Sequence, residues 1–121
     1  MKADVIIVGS GPAGVSAALY AVRAGLKTAV ISKDRGALGK ADKIENYYGF
    51  AEAIDAGELY ENGIKGAARL GVEFYDEEVF EVAYAPDGFT VKTSAGEHEA
   101  TAVILAAGSS RKTPPVTGLK E

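Results

Sequence analysis

The chain has 121 residues, of which 47% are hydrophobic and 25% charged, which is enough apolar material for the core of one α/β domain. Its net charge of −4 and its lack of a basic cluster argue against a nucleic-acid-binding protein. It contains no cysteine, so it supplies no dithiol, thiolate nucleophile or cysteine metal site. No apolar run is long enough to span a membrane, and the first strand directly follows the N-terminus, which predicts a cytoplasmic protein without a signal peptide.

A glycine-rich turn follows the first predicted strand, Asp4–Val8, and opens a helix that ends near Ala24. Its residues are Gly9, Ser10, Gly11, Pro12, Ala13 and Gly14, a G-x-G-x-x-G motif placed between a strand and a helix. Gly9 permits a tight turn, Gly11 leaves space for a pyrophosphate, and Gly14 lets the helix pack closely on the sheet. The free N–H groups of the first helical turn face the phosphates. The motif therefore predicts nucleotide binding; the alternative is a glycine turn that only packs.

The next elements predict a parallel sheet and a second helix. A second strand, Thr28–Ile31, closely follows the first helix, which implies a right-handed crossover. The segment from 32 to 57 lacks regular periodicity, and a loop of this length is usually functional. Asp55 is followed three residues later by a glutamate, the spacing of a capping box. The helix that it opens is predicted to end near Leu70, before a third strand, Val72–Tyr75.

Period-two alternation in the second half predicts an antiparallel meander with strands at Val79–Tyr84, Phe89–Thr93 and Glu97–Ala100. The continuous apolar strand Ala102–Ala106 is then expected at the centre of the parallel sheet, with the meander as a separate small sheet. The fold class is therefore α/β, a parallel sheet with helices plus a three-stranded antiparallel meander. The single histidine, His98, is expected to be solvated, and no metal site is expected.

The residues after the second strand leave the identity of the nucleotide open. A Rossmann unit that binds NAD usually ends this strand with an acidic residue that hydrogen-bonds the ribose. Here the strand ends in Ile31-Ser32-Lys33-Asp34. Three interpretations remain: Ser32 holds the ribose, Lys33 holds a phosphate as in an NADP site, or Asp34 reaches back to the ribose.

Three motifs, in this order, resemble the thioredoxin reductase family among the two-dinucleotide-binding flavoproteins. They are GSGPAGVSAALYAVRAGL at 9–26, KIENYYGF at 43–50 and TAVILAAGSSRKTPPVTGLKE at 101–121. The resemblance implies a Rossmann-like FAD/NAD(P)-binding domain over residues 1–121, as an incomplete N-terminal portion of the FAD domain. The short loop before Asn46 resembles the ferredoxin-linked flavin thioredoxin reductases.

The resemblance implies FAD as the cofactor and assigns its adenosine half to several positions. Gly9–Gly14 would hold the pyrophosphate. Ser32 and Lys33 would lie near the adenosine ribose, and Val79 would offer backbone groups to the adenine. Val79 equally fits a core position.

The flavin half of FAD is assigned to the loop after the second strand and to the end of the last strand. Ala37 and Leu38 would lie beside the flavin-side phosphate and ribityl chain, and Asn46 near the isoalloxazine ring. Ala106-Ala107-Gly108 matches the family's Ala-Thr-Gly turn, in which Ala107 lacks the usual hydroxyl. Leu38 and Ala106 also fit core positions, and Asn46 also fits a turn cap.

The function that the resemblance implies is that of the FAD-binding portion of a flavin-dependent oxidoreductase, which passes electrons through FAD toward a protein disulfide. The implied partners are a thioredoxin-like protein, NADPH or ferredoxin as the electron donor, and a second copy in a homodimer. No residue is a convincing catalytic acid, base or nucleophile. The alternatives are an NADP-binding Rossmann dehydrogenase, with Lys33 on the 2′-phosphate, and a nucleotide-binding module without activity of its own.

Overall fold

The computed structural model describes residues 1–34, 38 and 41–109. One sheet has the strand order β5-β2-β1-β8-β7-β6, and a second, antiparallel sheet contains β3 and β4. The elements are β1 Lys2–Val8, α1 Pro12–Arg23, β2 Thr28–Ser32, β3 Lys43–Ile44, β4 Ile54–Asp55, α2 Ala56–Arg69, β5 Glu73–Asp76, β6 Val79–Ala85, β7 Gly88–Thr93 and β8 Gly96–Leu105. Within the described ranges, no helix is long and apolar enough to cross a membrane.

The parallel half of the sheet forms as predicted and packs on the helices. β1 pairs in parallel with β2 and with β8, and β2 pairs in parallel with β5. Val5 and Ile7 of β1 form one buried cluster with Val15 and Ala18 of α1 and with Ala67 of α2. Because the residues of α1 in this cluster are small, the helix can approach the sheet closely.

The meander is hydrogen-bonded into the same sheet, so the prediction of a separate small sheet is wrong. β6 pairs with β7 and β7 with β8, both antiparallel. β8 runs without a break from Gly96 to Leu105, which covers the predicted strand Glu97–Ala100 and all but the last residue of the predicted strand Ala102–Ala106. Its beginning pairs with β7 and its end with β1. The alternating and the continuously apolar patterns therefore belong to one strand, which pairs with the meander at its beginning and with the parallel strands at its end.

The six-stranded sheet folds over on itself. β5 and β6 lie at opposite ends of the strand order, yet only Glu77 and Glu78 link them. A link of this length spans about 10 Å, whereas the outer strands of a flat six-stranded sheet would be about 24 Å apart. The meander accordingly covers the face of the parallel strands opposite the helices. There Ile6 and Ile31 form a second buried cluster with Val91 of β7.

The end of β8 is more exposed than its apolar sequence predicts. Beyond Ala100 it pairs, among the described residues, with β1 alone. Ile104 is 40% exposed and Leu105 is 70% exposed. The prediction that Ala102–Ala106 is buried at the centre of the sheet is therefore wrong, although its parallel pairing with β1 is correct.

The loop between β2 and α2 contains the short pair β3–β4, which the sequence did not predict because two-residue strands show no periodicity. Lys43 pairs with Asp55 and Ile44 with Ile54. Asp55 also caps α2 as predicted, since its carboxylate accepts a hydrogen bond from the Glu58 N–H at 3.0 Å.

Replacing Ile6 with alanine should lower the free energy of unfolding by about 2–5 kcal/mol, because the fully buried side chain would leave a cavity between the layers. Ile104→Ala is the matched control, since Ile104 is 40% exposed, and it should cost much less. Chemical denaturation measures both values. Equal losses would contradict the packing of the meander over Ile6.

Candidate functional site

A cleft of about 440 Å³ lies at the carboxyl ends of the parallel strands, the place where open α/β sheets bind ligands. It brings together most of the residues predicted from the sequence. Those that line it are Gly9, Ser10, Gly11, Pro12, Ala13, Ser32, Lys33, Leu38, Val79, Ala106, Ala107 and Gly108.

Three of the predicted residues do not line this cleft. Gly14 is buried in the first turn of α1. Asn46 is exposed in the loop after β3. Ala37 lies outside the described residues. The assignments of Ala37 and Asn46 to the flavin half of FAD therefore remain predictions.

The three glycines of the turn differ in the space around them. Gly9 has a φ of +116°, and a Cβ there would overlap the carbonyl oxygen of Ala106. A Cβ on Gly14 would overlap the carbonyl oxygen of Gly9. A Cβ on Gly11 would have no atom within 4 Å. The first and last glycines thus allow backbone segments to touch, whereas Gly11 borders open space at the N-terminus of α1.

A chain of hydrogen-bonded hydroxyl groups connects the glycine turn to β2 and to α2. Ser32 Oγ donates a hydrogen bond to Ser10 Oγ at 2.7 Å, and Ser10 Oγ lies 2.9 Å from the hydroxyl oxygen of Tyr60. Ser10 is buried, at 4% exposure. The end of β2, the glycine turn and α2 are therefore tied together. No local sequence pattern indicates this contact of Tyr60, which lies 50 residues from Ser10.

Carboxylates from the link between β5 and β6 reach the same cleft. Glu77 and Glu78 both line it, together with Asp34. The Glu77 N–H donates to the carbonyl of Ser32 at 3.1 Å, which holds the link beside the end of β2. Lys33 Nζ lies 3.2 Å from Glu78 Oε2. Two acidic residues directly after a strand of a parallel sheet are a sequence signal for this wall, separate from the residues at the end of β2.

His98 is buried, so the prediction of a solvated histidine is wrong. It is 8% exposed, and its Nε2 lies 2.7 Å from Oε1 of Glu77. The ring packs against Tyr75, and the N-terminal amine of Met1 lies 3.3 Å from Nδ1. Its flanking glutamates point outward because side chains alternate along β8, and the meander turns His98 toward the parallel strands.

Glu77 accepts two short hydrogen bonds in this cluster. Thr93 Oγ1 donates to Oε1 at 2.6 Å, and His98 lies on the same oxygen. These hydrogen bonds, that of Thr93 first, lower the pKa of Glu77 below the ordinary glutamate value. The ionised form of Glu77 therefore stabilises the folded chain.

Comparison with known proteins identifies the family. Residues 3–121 match the family model described as pyridine nucleotide-disulphide oxidoreductase. The chain belongs to this oxidoreductase family. It is 43% identical over 122 residues to the thioredoxin reductase of Treponema pallidum (strain Nichols), covering 98% of this chain and 39% of that protein. It is 39% identical over 120 residues to that of Bacillus subtilis (strain 168), covering 98% and 38%.

Solved thioredoxin reductases share the fold of this chain. The atypical thioredoxin reductase from Desulfovibrio vulgaris Hildenborough superposes with a TM-score of 0.84 at 39% identity, covering 96% of this chain and 39% of that one. The thioredoxin reductase from T. acidophilum gives 0.87 at 34% identity, covering 97% and 39%. The predicted resemblance and the Rossmann-like fold are confirmed. The chain spans about 39% of the length of these structures.

Replacing Gly14 with alanine should destabilise the fold by about 1–3 kcal/mol, because the added methyl group overlaps the Gly9 carbonyl. Gly11→Ala is the matched control and should change the unfolding free energy by about 0.5 kcal/mol or less, since its Cβ meets open space. Denaturant titration of both variants checks this, and a reversed order would contradict the assigned roles.

Acid should destabilise the wild-type chain more than the Glu77→Gln variant. A carboxyl whose pKa is lowered in the folded state contributes stability above its unfolded pKa of about 4.3. That contribution is lost as the pH falls through the lower folded pKa of Glu77. Unfolding free energies measured between about pH 5 and pH 3 should therefore fall more steeply for the wild type. Parallel curves would show that the hydrogen bonds to Glu77 do not act in this way.

Proposed function

We propose that this chain binds FAD in the cleft at the carboxyl ends of β1, β2 and β8. The observation that carries the proposal is the open space beside Gly11, where an added Cβ would have no atom within 4 Å. This space lies at the N-terminus of α1, whose free N–H groups and positive dipole end favour a pyrophosphate. The cleft of about 440 Å³ adjoins it. The residues present therefore fit a dinucleotide.

The chain's own residues would bind and orient the cofactor. The turn from Gly9 to Ala13 would hold the pyrophosphate, and the backbone of Val79 would meet the adenine. Leu38 and the run 106–108 would border the flavin-side half, since all of these line the cleft. When bound, FAD supplies the redox chemistry, and the protein supplies binding, orientation and electrostatics.

The wider role that we propose is that of the FAD-binding portion of a flavin-dependent reductase acting toward a protein disulfide. The support is the similarity to thioredoxin reductases over 98% of this chain. The chain has no cysteine, so the dithiol for such a reaction would come from outside these 121 residues. On this proposal the partners are a thioredoxin-like protein and a donor, NADPH or reduced ferredoxin. Disulfide-reduction assays of this chain with a thioredoxin-like protein and each donor in turn would distinguish the two.

A Gly11→Val variant should lose FAD binding and remain folded, because valine fills the space that the pyrophosphate needs. A loss of tenfold or more, about 1.4 kcal/mol, is expected. Calorimetry and the absorbance bands of bound flavin would measure it, with thermal unfolding as the check on folding.

Gly63→Val is the matched control, since Gly63 lies in α2 and a Cβ there also meets open space. It should keep wild-type FAD affinity. Binding by Gly11→Val at wild-type strength, or a wild-type chain that takes up no FAD, would contradict the proposal.

A further inference from the structure

The end of β2 lacks the acidic residue that usually binds the ribose of a dinucleotide, and its serine is already engaged. Ser32 Oγ donates to Ser10 Oγ at 2.7 Å. Because a hydroxyl group has one proton, this bond directs the Ser32 donor into the protein. Ribose hydroxyl groups bind most strongly to a charged acceptor. A carboxylate elsewhere on the cleft wall would fill that role.

Glu78 presents such a carboxylate beside the end of β2. Its backbone is held on both sides by Ser94: the Glu78 N–H donates to Ser94 Oγ at 3.1 Å, and the Glu78 carbonyl accepts from the Ser94 N–H at 2.9 Å. Its side chain is 46% exposed, lines the cleft and pairs with Lys33 through Oε2 at 3.2 Å. The backbone is thus fixed while the carboxylate stays accessible to a ligand.

The neighbouring Glu77 is less suited to this role. Its Oε1 already accepts a hydrogen bond from Thr93 at 2.6 Å and lies 2.7 Å from His98 Nε2. Its side chain is 14% exposed. Glu77 therefore serves the interior of the fold, and Glu78 faces the cleft.

We propose that Glu78 accepts the hydroxyl groups of the adenosine ribose and selects a nucleotide without a 2′-phosphate. This inference rests on the proposed FAD site. Lys33, the basic residue among those that line the described cleft, is paired with Glu78 instead of being available to a phosphate. A 2′-phosphate in this cleft would also be repelled by the carboxylates of Asp34 and Glu78, which line it. The paired Lys33 and Glu78 thus favour FAD over an NADP-type ligand.

A matched pair of ligands tests this selection. ADP-ribose and 2′-phospho-ADP-ribose differ only in the 2′-phosphate, and each can be titrated into the 121-residue chain by calorimetry alongside FAD. The wild type should bind ADP-ribose at least tenfold more tightly than its 2′-phosphorylated form. Glu78→Gln should bind FAD and ADP-ribose about tenfold more weakly. It should also lose the discrimination, because Lys33 becomes free to pair with the phosphate.

Glu81→Gln is the control for charge removal. Glu81 lies on β6, and its Oε2 is 3.6 Å from Nζ of Lys92 on β7. Its side chain is 55% exposed and lies outside the cleft. This variant should keep wild-type affinity for all three ligands. Thermal unfolding would verify that both variants remain folded.

The outcomes separate this inference from the function on which it rests. Wild-type chain that binds FAD, with Glu78→Gln unchanged in affinity or in discrimination, would overturn the role of Glu78 and leave the FAD site standing. A tenfold loss in Asp34→Asn, with Glu78→Gln unaffected, would assign the ribose to Asp34. No FAD binding by the wild type would overturn the proposed function and this inference together.

Discussion

Close contact of backbone with backbone at the first glycine turn is the constraint on which the rest of the structure depends. Gly9 lies against the Ala106 carbonyl and Gly14 against the Gly9 carbonyl, with no room for a side chain at either place. These contacts hold the end of β8, the turn and the start of α1 in one fixed arrangement. The N-terminus of the helix therefore forms one wall of the cleft and the residues after β8 form the other. A looser turn would leave neither wall in place.

Because the sheet folds onto itself, the link between β5 and β6 also lies at this cleft. The link Glu77-Glu78 joins the two outer strands of the sheet and crosses beside Ser32. One of its residues turns inward to His98 and the other outward to Lys33. A connection that closes the fold thereby also supplies charge to the cleft. Because side chains alternate along an extended chain, one of these adjacent glutamates contacts the interior of the fold and the other faces the cleft.

Local patterns predicted the parallel core well because each depends on residues close in sequence. The strand–turn–helix around Gly11 and the cap at Asp55 are of this kind. The errors concern contacts between distant segments. β8 was divided in two because its period changes where its neighbour changes from β7 to β1. His98 was assigned to solvent because Glu77 and Tyr75, which cover it, lie more than 20 residues away.

The residues of the cleft also differ in whether a pattern along the chain predicts them or only the fold brings them together. The glycine turn, Val79 and 106–108 were found because a family pattern fixes their place in the chain. Tyr60 and Glu78 were missed because helix and strand patterns describe which face is buried and not which polar groups meet. Their roles follow only from the folding of the sheet and the packing of α2 against the turn.

The two-residue link between β5 and β6 also determines where the chain can change in length. The link is held at one end by the pairing of Asp76 with Ser32 and at the other by the pairing of Val79 with Thr93. A residue inserted between these ends would displace the carboxylates of Glu77 and Glu78. The turn at Pro86-Asp87 joins β6 to β7 and lies outside the cleft. Related chains that gain residues should therefore gain them at that turn, and the spacing of Asp76 and Val79 should stay constant.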